Sequence, residues 1–295
     1  MQAGVLLAFL AYLAFACGDA AVKRAGAVLP VFEVGFFVSL FALVPTLFTK
    51  RPSTPWREIL VPKRPGLVAL RMASGVVGGA LGVYAFSHLP LAEAYALIFL
   101  VPLFVTILSA TILKEEIGAK RWGAVFVGLG GVFLVVRPGF REILPAHLAA
   151  VGVALAGGIT VIVLRVLGPT ERRLTLIGSV LLAATLVNGV LMLPEFVMPT
   201  PDLWPVLVLG GIGAGLGHLC IVLATRLAPA ARVAPTQYSQ IIWAAVIGAA
   251  FFDELPDAFA IGGMSLVGLS GLFTFVREEK KTNWWQRTPL LRNRG

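Results

Sequence analysis

Leu91 to Leu113 reads LAEAYALIFLVPLFVTILSATIL, and this stretch decides the fold class of the chain. It contains one charged residue, Glu93, and it is followed at once by the charged triplet Lys114-Glu115-Glu116. An apolar run of roughly 20 residues is long enough for a helix to cross the hydrocarbon core of a bilayer. The pattern therefore predicts a transmembrane helix that ends in a charged loop.

The rest of the chain repeats this pattern. The sequence of 295 residues is 58% hydrophobic and 13% charged, whereas a soluble domain usually carries about 25% charged residues. The predicted spans lie at about 3–22, 30–49, 66–87, 91–113, 119–136, 146–166, 173–194, 203–225, 229–251 and 257–276. We expect an all-α membrane protein of ten transmembrane helices, with a first span that is retained because no basic segment of a signal peptide precedes it.

The basic residues predict how the spans are oriented. With the N-terminus in the cytoplasm, all but four of the 24 Lys and Arg residues fall in cytoplasmic segments. The four exceptions are Lys23, Arg24, Arg137 and Arg141. Positive charge collects on the cytoplasmic side of membrane proteins, so both termini are expected there, in the inner or plasma membrane. The net charge of +9 then needs no nucleic-acid partner.

An internal repeat divides the chain into two halves. Sliding the sequence on itself by about 138 residues matches Gly79 with Gly217 and Glu116 with Glu254, and a small insertion then matches 128–133 with 268–273. The predicted units are 1–138 and 145–277, each with five spans, followed by a cytoplasmic tail at 278–295. Because five is odd, the two units must be inverted, an arrangement typical of secondary transporters.

Two stretches and the first span resemble a known family. They are AFSHLPLAEAYALIFLVPLFVTILSATILKEEIGAKRWGAVFVGLGGVFLVVRPG at 85–139, Phe252-Asp253-Glu254 with the glycines from Gly262 to Gly271, and Cys17-Gly18-Asp19 with Lys23. The chain resembles the EamA-type, ten-helix members of the drug/metabolite transporter superfamily, including aromatic amino-acid exporters of the YddG type. The resemblance implies export of aromatic or other neutral amino acids by alternating access. Import of riboflavin, S-adenosylmethionine or a nucleoside-like metabolite, and a pore-type facilitator, stay open.

Polar and aromatic residues inside the spans are the candidates for the transport site. A polar group in hydrocarbon is costly unless it is paired, so these side chains should face the protein interior, where they either bind substrate or join neighbouring helices. The candidates for substrate binding are Tyr84, Tyr95, Phe99, His218, Gln237, Tyr238, Gln240 and Trp243. The candidates for gating or structure are Pro102, Pro235, Gly79 and Gly217. In the fourth span Tyr95, Phe99, Pro102 and Thr106 are expected on one helical face.

Charged residues are predicted only near the ends of the spans. The acidic residues and the lysine expected near the outer face are Asp19, Lys23, Glu33, Glu93, Asp253 and Glu254, mostly as interfacial ion pairs and in part as a vestibule or gate. Buried carboxylates usually carry the protons or cations of coupled carriers. Their absence from the middle of the spans favours a facilitator, or coupling through His218 or the peripheral acids, and a neutral or zwitterionic substrate.

Other functional classes find little support. The sequence contains no phosphate-binding G-x-x-x-x-G-K-[ST] loop and no H-E-x-x-H metal motif, and Cys17 and Cys220 have no disulfide or metal-ligand spacing. The chain is therefore expected not to be an enzyme and to use no cofactor or metal, although a Ser-His intramembrane hydrolase stays an alternative. The expected partners are a small-molecule substrate and the lipid bilayer, without nucleic acid, and the expected state is a monomer.

Overall fold

A computed structural model describes residues 2–47, 61–139, 142–167, 171–228 and 233–279, and their secondary structure is helical. The α-helices are α1 (Gln2–Gly26), α2 (Val31–Leu47), α3 (Pro65–His88), α4 (Leu91–Ile98), α5 (Val101–Thr111), α6 (Ala119–Val136), α7 (Pro145–Leu167), α8 (Arg173–Leu191), α9 (Leu203–Leu227), α10 (Ser239–Phe252) and α11 (Ala258–Glu279). Short 3-10 turns lie at Leu193–Glu195 and Ala234–Tyr238.

The helices occupy all ten predicted spans, which confirms the predicted all-α membrane fold. Six of them are long and apolar enough to cross a membrane: α1, α3, the α4–α5 pair, α7, α8 and α9. Helices α2, α6 and α11 are also apolar, but their apolar stretches are shorter. Most of the tail predicted at 278–295 lies outside the described residues.

The fourth predicted span is two helices rather than one. Helix α4 ends at Ile98, and α5 begins at Val101 with Pro102 in its first turn. Proline has no backbone N–H to donate and is tolerated at a helix start but not in its interior, so the chain breaks just before it. The expectation that Tyr95, Phe99, Pro102 and Thr106 share one face of a continuous helix is therefore wrong.

The ninth span is interrupted in a similar way. Pro235 lies in the first turn of the 3-10 segment Ala234–Tyr238, which leads directly into α10. Both prolines predicted to affect helix geometry therefore lie where a transmembrane segment departs from regular α-helix.

Side-chain contacts show which helix termini share an end of the bundle. At one end, here called the Lys23 end, Lys23 near the end of α1 pairs with Glu254 after α10, and Glu93 at the start of α4 pairs with His147 at the start of α7. At the other end, the Arg165 end, Arg165 near the end of α7 pairs with Glu115 after α5. Helices α1 and α7 therefore run in opposite directions.

The main helix pairs each join one half of the chain to the other. Helix α1 packs along α9, and its counterpart α7 packs along α3 in the same way. Helix α2 packs on α8, and α6 packs on α11. The fold therefore consists of two inverted five-span repeats. Small residues permit these close contacts: a Cβ on Gly213 would lie 2.9 Å from the carbonyl oxygen of Ala14, and one on Gly131 would lie 2.6 Å from that of Gly263.

One pair of helices breaks the symmetry. Helix α1 packs against α3, where a Cβ on Gly26 would overlap the Ser87 side chain. Their counterparts α7 and α9 make at most weak contact among the described residues. The α1–α3 contact therefore has no equally extensive counterpart in the described part of the second repeat.

Candidate functional site

A chain of polar side chains joins three helices in the interior. The hydroxyl of Tyr95 in α4 donates a hydrogen bond to Oδ2 of Asp19 in α1. The same hydroxyl oxygen accepts a hydrogen bond of 2.9 Å from Nε2 of Gln240 in α10. Because α1 and α4 belong to the first half and α10 to the second, this chain crosses between the repeats. It offers a carboxylate, a hydroxyl and an amide to a polar solute.

Aromatic rings continue this polar chain. The buried ring of Tyr95 lies 5.3 Å from that of Phe86 and 6.3 Å from that of Phe99, measured between ring centroids. Phe99, at the break between α4 and α5, lies 5.3 Å from Tyr238. Four predicted site residues therefore come together: Tyr95, Phe99, Tyr238 and Gln240. Rings with centroids 4.5–7 Å apart attract one another beyond the effect of burial, so the row is also a packed structural element.

Trp243 lies on α10, one turn beyond Gln240. Its indole Nε1–H is buried and has no hydrogen-bond partner among the described residues. An unsatisfied buried donor costs roughly 1–3 kcal/mol, so this N–H agrees with the prediction of Trp243 as a binding residue, which stays a prediction. Gln237 lies half-buried in the 3-10 turn before α10.

His218 belongs to a second aromatic group. Its ring meets the ring of Phe15 edge to face at 5.0 Å, and Phe15 lies 6.0 Å from Tyr12. Helix α1, which carries Tyr12 and Phe15, packs against the 3-10 turn that ends at Tyr238, so the two aromatic groups lie on neighbouring elements. The absence of a side chain at Gly217 leaves room for the Phe15 ring, because a Cβ on residue 217 would lie 2.6 Å from a carbon atom of that ring.

Tyr84 and Gly79 lie apart from the Tyr95 chain. The Tyr84 ring contacts that of His88 in a tilted arrangement with centroids 4.3 Å apart, and His88 is exposed near the end of α3. Gly79 is exposed, and a Cβ built on it meets nothing within 4 Å. Neither residue takes part in the hydrogen bonds that join α1, α4 and α10.

Asp19 was expected near the outer face, in an ion pair or as part of a vestibule or gate. Its carboxylate accepts the Tyr95 hydroxyl and so joins α1 to α4. The sequence contains a signal for such a role, because Asp19 is the one charged residue in the predicted span 3–22. Arg71, counted among the cytoplasmic basic residues, donates to the carbonyl oxygen of Leu176.

At the Lys23 end lies a largely buried ion pair between Lys23 and Glu254, two residues that were expected in ion pairs. Lys23 Nζ lies 2.7 Å from Glu254 Oε1, and their side chains are 12% and 19% exposed. Lys23 also donates to the carbonyl oxygen of Leu89 at 2.6 Å, and Glu254 Oε2 accepts the amide of Leu91 at 2.9 Å. These four residues, here called the Lys23 latch, tie α1 and the segment after α10 to the link between α3 and α4.

Two more predicted outer acids are also paired. Glu93 Oε1 lies 3.0 Å from Nε2 of His147 in α7. Glu33 is fully buried at the start of α2, where its Oε2 accepts the amide of Val197 at 3.0 Å. Among the described residues, no group of three His, Cys, Asp or Glu side chains is placed to hold a metal ion.

Comparison with known proteins identifies the family. The model of the EamA-like transporter family matches residues 2–137. The pseudopaline exporter CntI of Pseudomonas aeruginosa is 32% identical over 274 residues, which cover 90% of this chain and 94% of that protein. The chain belongs to the EamA-like transporter family. The family belongs to the drug/metabolite transporter superfamily, so the predicted membership is confirmed and the chain is a membrane-spanning transporter of small molecules.

Other relatives in this superfamily carry different solutes. A riboflavin transporter of Vibrio cholerae is 28% identical, over 77% of this chain and 76% of its own. An S-adenosylmethionine uptake transporter of Rickettsia prowazekii is 24% identical, over 94% of both chains. A solved crystal structure matches 96% of this chain and 99% of its own with a TM-score of 0.65 at 17% identity, which shows that the two proteins share a fold. None of the relatives named here is described as an aromatic amino-acid exporter.

Proposed function

We propose that this protein exports a small zwitterionic metabolite, an amino acid or amino-acid derivative with a flat or aromatic part, by alternating access. The observation that carries the proposal is the chain from Asp19 through Tyr95 to Gln240, which crosses the boundary between the repeats. Inverted-repeat transporters place their substrate between the halves. The carboxylate of Asp19 suits an ammonium group, because charge-assisted hydrogen bonds are stronger than neutral ones.

The aromatic row supports the second part of the substrate assignment. Phe99 and Tyr238 continue from the polar chain towards Tyr12 and Phe15, so that a polar end and a flat apolar body could be bound together. Pockets of this composition, mostly apolar with a few placed polar groups, are typical of small-molecule sites. A neutral or zwitterionic substrate was expected from the sequence, and this proposal keeps that expectation and adds Asp19 to the residues that bind the substrate.

The direction of transport rests on two supports. The first is the 32% identity to an exporter. The second is the charge distribution, which favours both termini in the cytoplasm, with the protein in the inner or plasma membrane. The Lys23 end then faces outwards and the Arg165 end faces the cytoplasm, which is the side from which an exporter takes its substrate.

Flux in proteoliposomes tests the proposal. Proteoliposomes that contain the purified full chain are assayed with a panel of radiolabelled amino acids, riboflavin and S-adenosylmethionine, and Tyr95→Phe is compared with Ser265→Ala. The first variant removes the hydroxyl that joins Asp19 to Gln240, and a loss of about tenfold in flux is expected from an interaction with a charged group. The second removes an exposed hydroxyl that donates to the carbonyl oxygen of Ile261 in its own helix and should leave flux within about twofold.

Each outcome decides between the candidate functions. Saturable exchange of amino acids that is stimulated by substrate on the opposite side supports the proposed exporter. Movement of riboflavin or S-adenosylmethionine alone replaces it with the activity of those relatives. Non-saturable conductance would indicate a pore, and no movement above empty liposomes would reject the assigned substrate class.

A further inference from the structure

Two loop glutamates occupy equivalent backbone positions in the two repeats. Glu115 follows Lys114, whose φ is 53°, and Glu254 follows Asp253, whose φ is 55°. The amide of Glu115 donates to the carbonyl oxygen of Ser109 at 3.1 Å, and that of Glu254 to the carbonyl oxygen six residues before it at 3.0 Å. The sequence comparison matched Glu116 with Glu254, so the structure moves this correspondence by one residue.

Each of these two glutamates pairs with a basic residue near the end of the first helix of a repeat, which is α1 for Glu254 and α7 for Glu115. Glu254 pairs with Lys23 of α1, and Glu115 Oε2 lies 3.5 Å from Nη1 of Arg165 in α7. The Arg165 and Glu115 side chains are 13% and 6% exposed, so this second pair is also largely buried. In the sequence, both basic residues stand three positions before a glycine, at Gly26 and Gly168.

The backbone group that Lys23 binds also has a counterpart. Leu89 is the extended residue that caps α3, and its amide donates to the carbonyl oxygen of Ala85 at 2.9 Å. Ala228 caps α9 in the same extended conformation, with its amide 2.9 Å from the carbonyl oxygen of Ala224. Leu89 and Ala228 are separated in sequence by as many residues as Glu115 and Glu254.

The two pairs differ in whether they bind the third helix. Lys23 reaches the end of α3, against which α1 packs. Helices α7 and α9, which would bring Arg165 to the end of α9, make at most weak contact among the described residues. Arg165 donates instead to Oγ of Ser109 at 2.9 Å. The Lys23 latch therefore binds the end of α3. In the described residues, the equivalent pair of Arg165 and Glu115 joins α7 to the segment after α5.

We propose that Arg165 and Glu115 form a second latch, which closes the Arg165 end by binding the carbonyl oxygen of Ala228 when the Lys23 latch opens. This rests on the proposed alternating access and adds the groups that hold the opposite conformation. Breaking a buried ion pair by removing one partner is strongly destabilising. The two latches should therefore compete, and the loss of either should shift the population towards the conformation that the other one holds.

Spin-label distances across the Arg165 end test this inference. Nitroxides are attached at Val166→Cys in α7 and Leu227→Cys in α9, in the full chain with Cys17→Ser and Cys220→Ser, and distances are measured in liposomes. Lys23→Gln should enlarge the short-distance population roughly five- to tenfold, the usual range of coupling between sites. Adding Arg165→Gln, or Glu115→Gln, should reverse this change.

Arg226→Gln provides the matched control, because Arg226 is an exposed basic residue near the same end of α9. Added to Lys23→Gln, it should leave the short-distance population in place. Persistence of that population in Lys23→Gln with Arg165→Gln would overturn the second latch, as would its absence from Lys23→Gln itself.

Flux measured on the same preparations separates the two proposals. If amino-acid flux is normal but the spin-label distances do not respond to Arg165→Gln, the second latch is rejected and the proposed function stands. If the distances respond as expected but no flux is measured, the substrate assignment is rejected and the second latch stands.

Discussion

Tyr95 and Asp19 are joined by a hydrogen bond in which the phenol of α4 donates to the carboxylate of α1, while the amide of Gln240 donates to the same phenol oxygen. This bond ties Asp19 to a buried side chain of another helix. A carboxylate inside a membrane protein is by default a functional group, because its burial is costly.

Asp19→Asn should fold but transport poorly. Asparagine keeps the shape and can still accept the Tyr95 hydroxyl, but it removes the charge that would bind an ammonium group. Hydrogen bonds to charged groups contribute roughly 1 kcal/mol more than neutral ones, so at least a fivefold loss in flux is expected. Asp257→Asn, in a pair with Arg137 at the surface, is the control. Equal losses in the two variants would remove Asp19 from the site.

Trp243→Phe separates substrate binding from structure. The indole N–H has no partner among the described residues, so its removal breaks no bond to them and should leave thermal stability unchanged or slightly raised. If the group binds substrate, KM for flux should rise about fivefold, the effect of losing one hydrogen bond. Trp122→Phe, near the start of α6 beside Phe126, should change neither quantity. An unchanged KM in Trp243→Phe would show that the indole nitrogen does not contact the substrate.

Exchanging the charges of the Lys23 latch should not restore it. In Lys23→Glu with Glu254→Lys, the new carboxylate faces the carbonyl oxygen of Leu89 and the new ammonium faces the amide of Leu91, so like partial charges meet. Flux in the double variant should stay within about twofold of the worse single variant, since residues in one network are not additive. Full recovery would mean that the ion pair alone closes this end.

Neighbouring glycines of α6 should respond differently to alanine. A Cβ on Gly131 would lie 2.6 Å from the carbonyl oxygen of Gly263 in α11, whereas one on Gly130 meets nothing within 4 Å. Gly131→Ala is expected to cost about 1–3 kcal/mol through overpacking, and Gly130→Ala should be neutral or slightly stabilising. Thermal unfolding in detergent measures both. A similar stability loss in both variants would contradict the close α6–α11 contact.

Hydropathy and charge in the sequence were sufficient for the fold class. Each apolar run long enough to cross a bilayer can bond its own backbone only as a helix, so the spans follow from composition alone. Inversion follows from the odd number of spans in each repeat. The helix breaks at Pro102 and near Pro235 have local causes as well, because proline lacks the N–H that a continuous helix needs.

The partners of the polar groups were decided only by the tertiary structure. Periodicity places Tyr95 on a helix face, but it does not say that Asp19, 76 positions away, accepts a hydrogen bond from its hydroxyl. The sequence predicted ion pairs at the outer face without assigning Lys23 to Glu254 or to the carbonyl of Leu89. Such contacts depend on how whole helices cross and slide, which a hydropathy pattern leaves free. The sequence by itself therefore determined that ten spans form two inverted halves, and the packing of those spans decided which polar side chains meet.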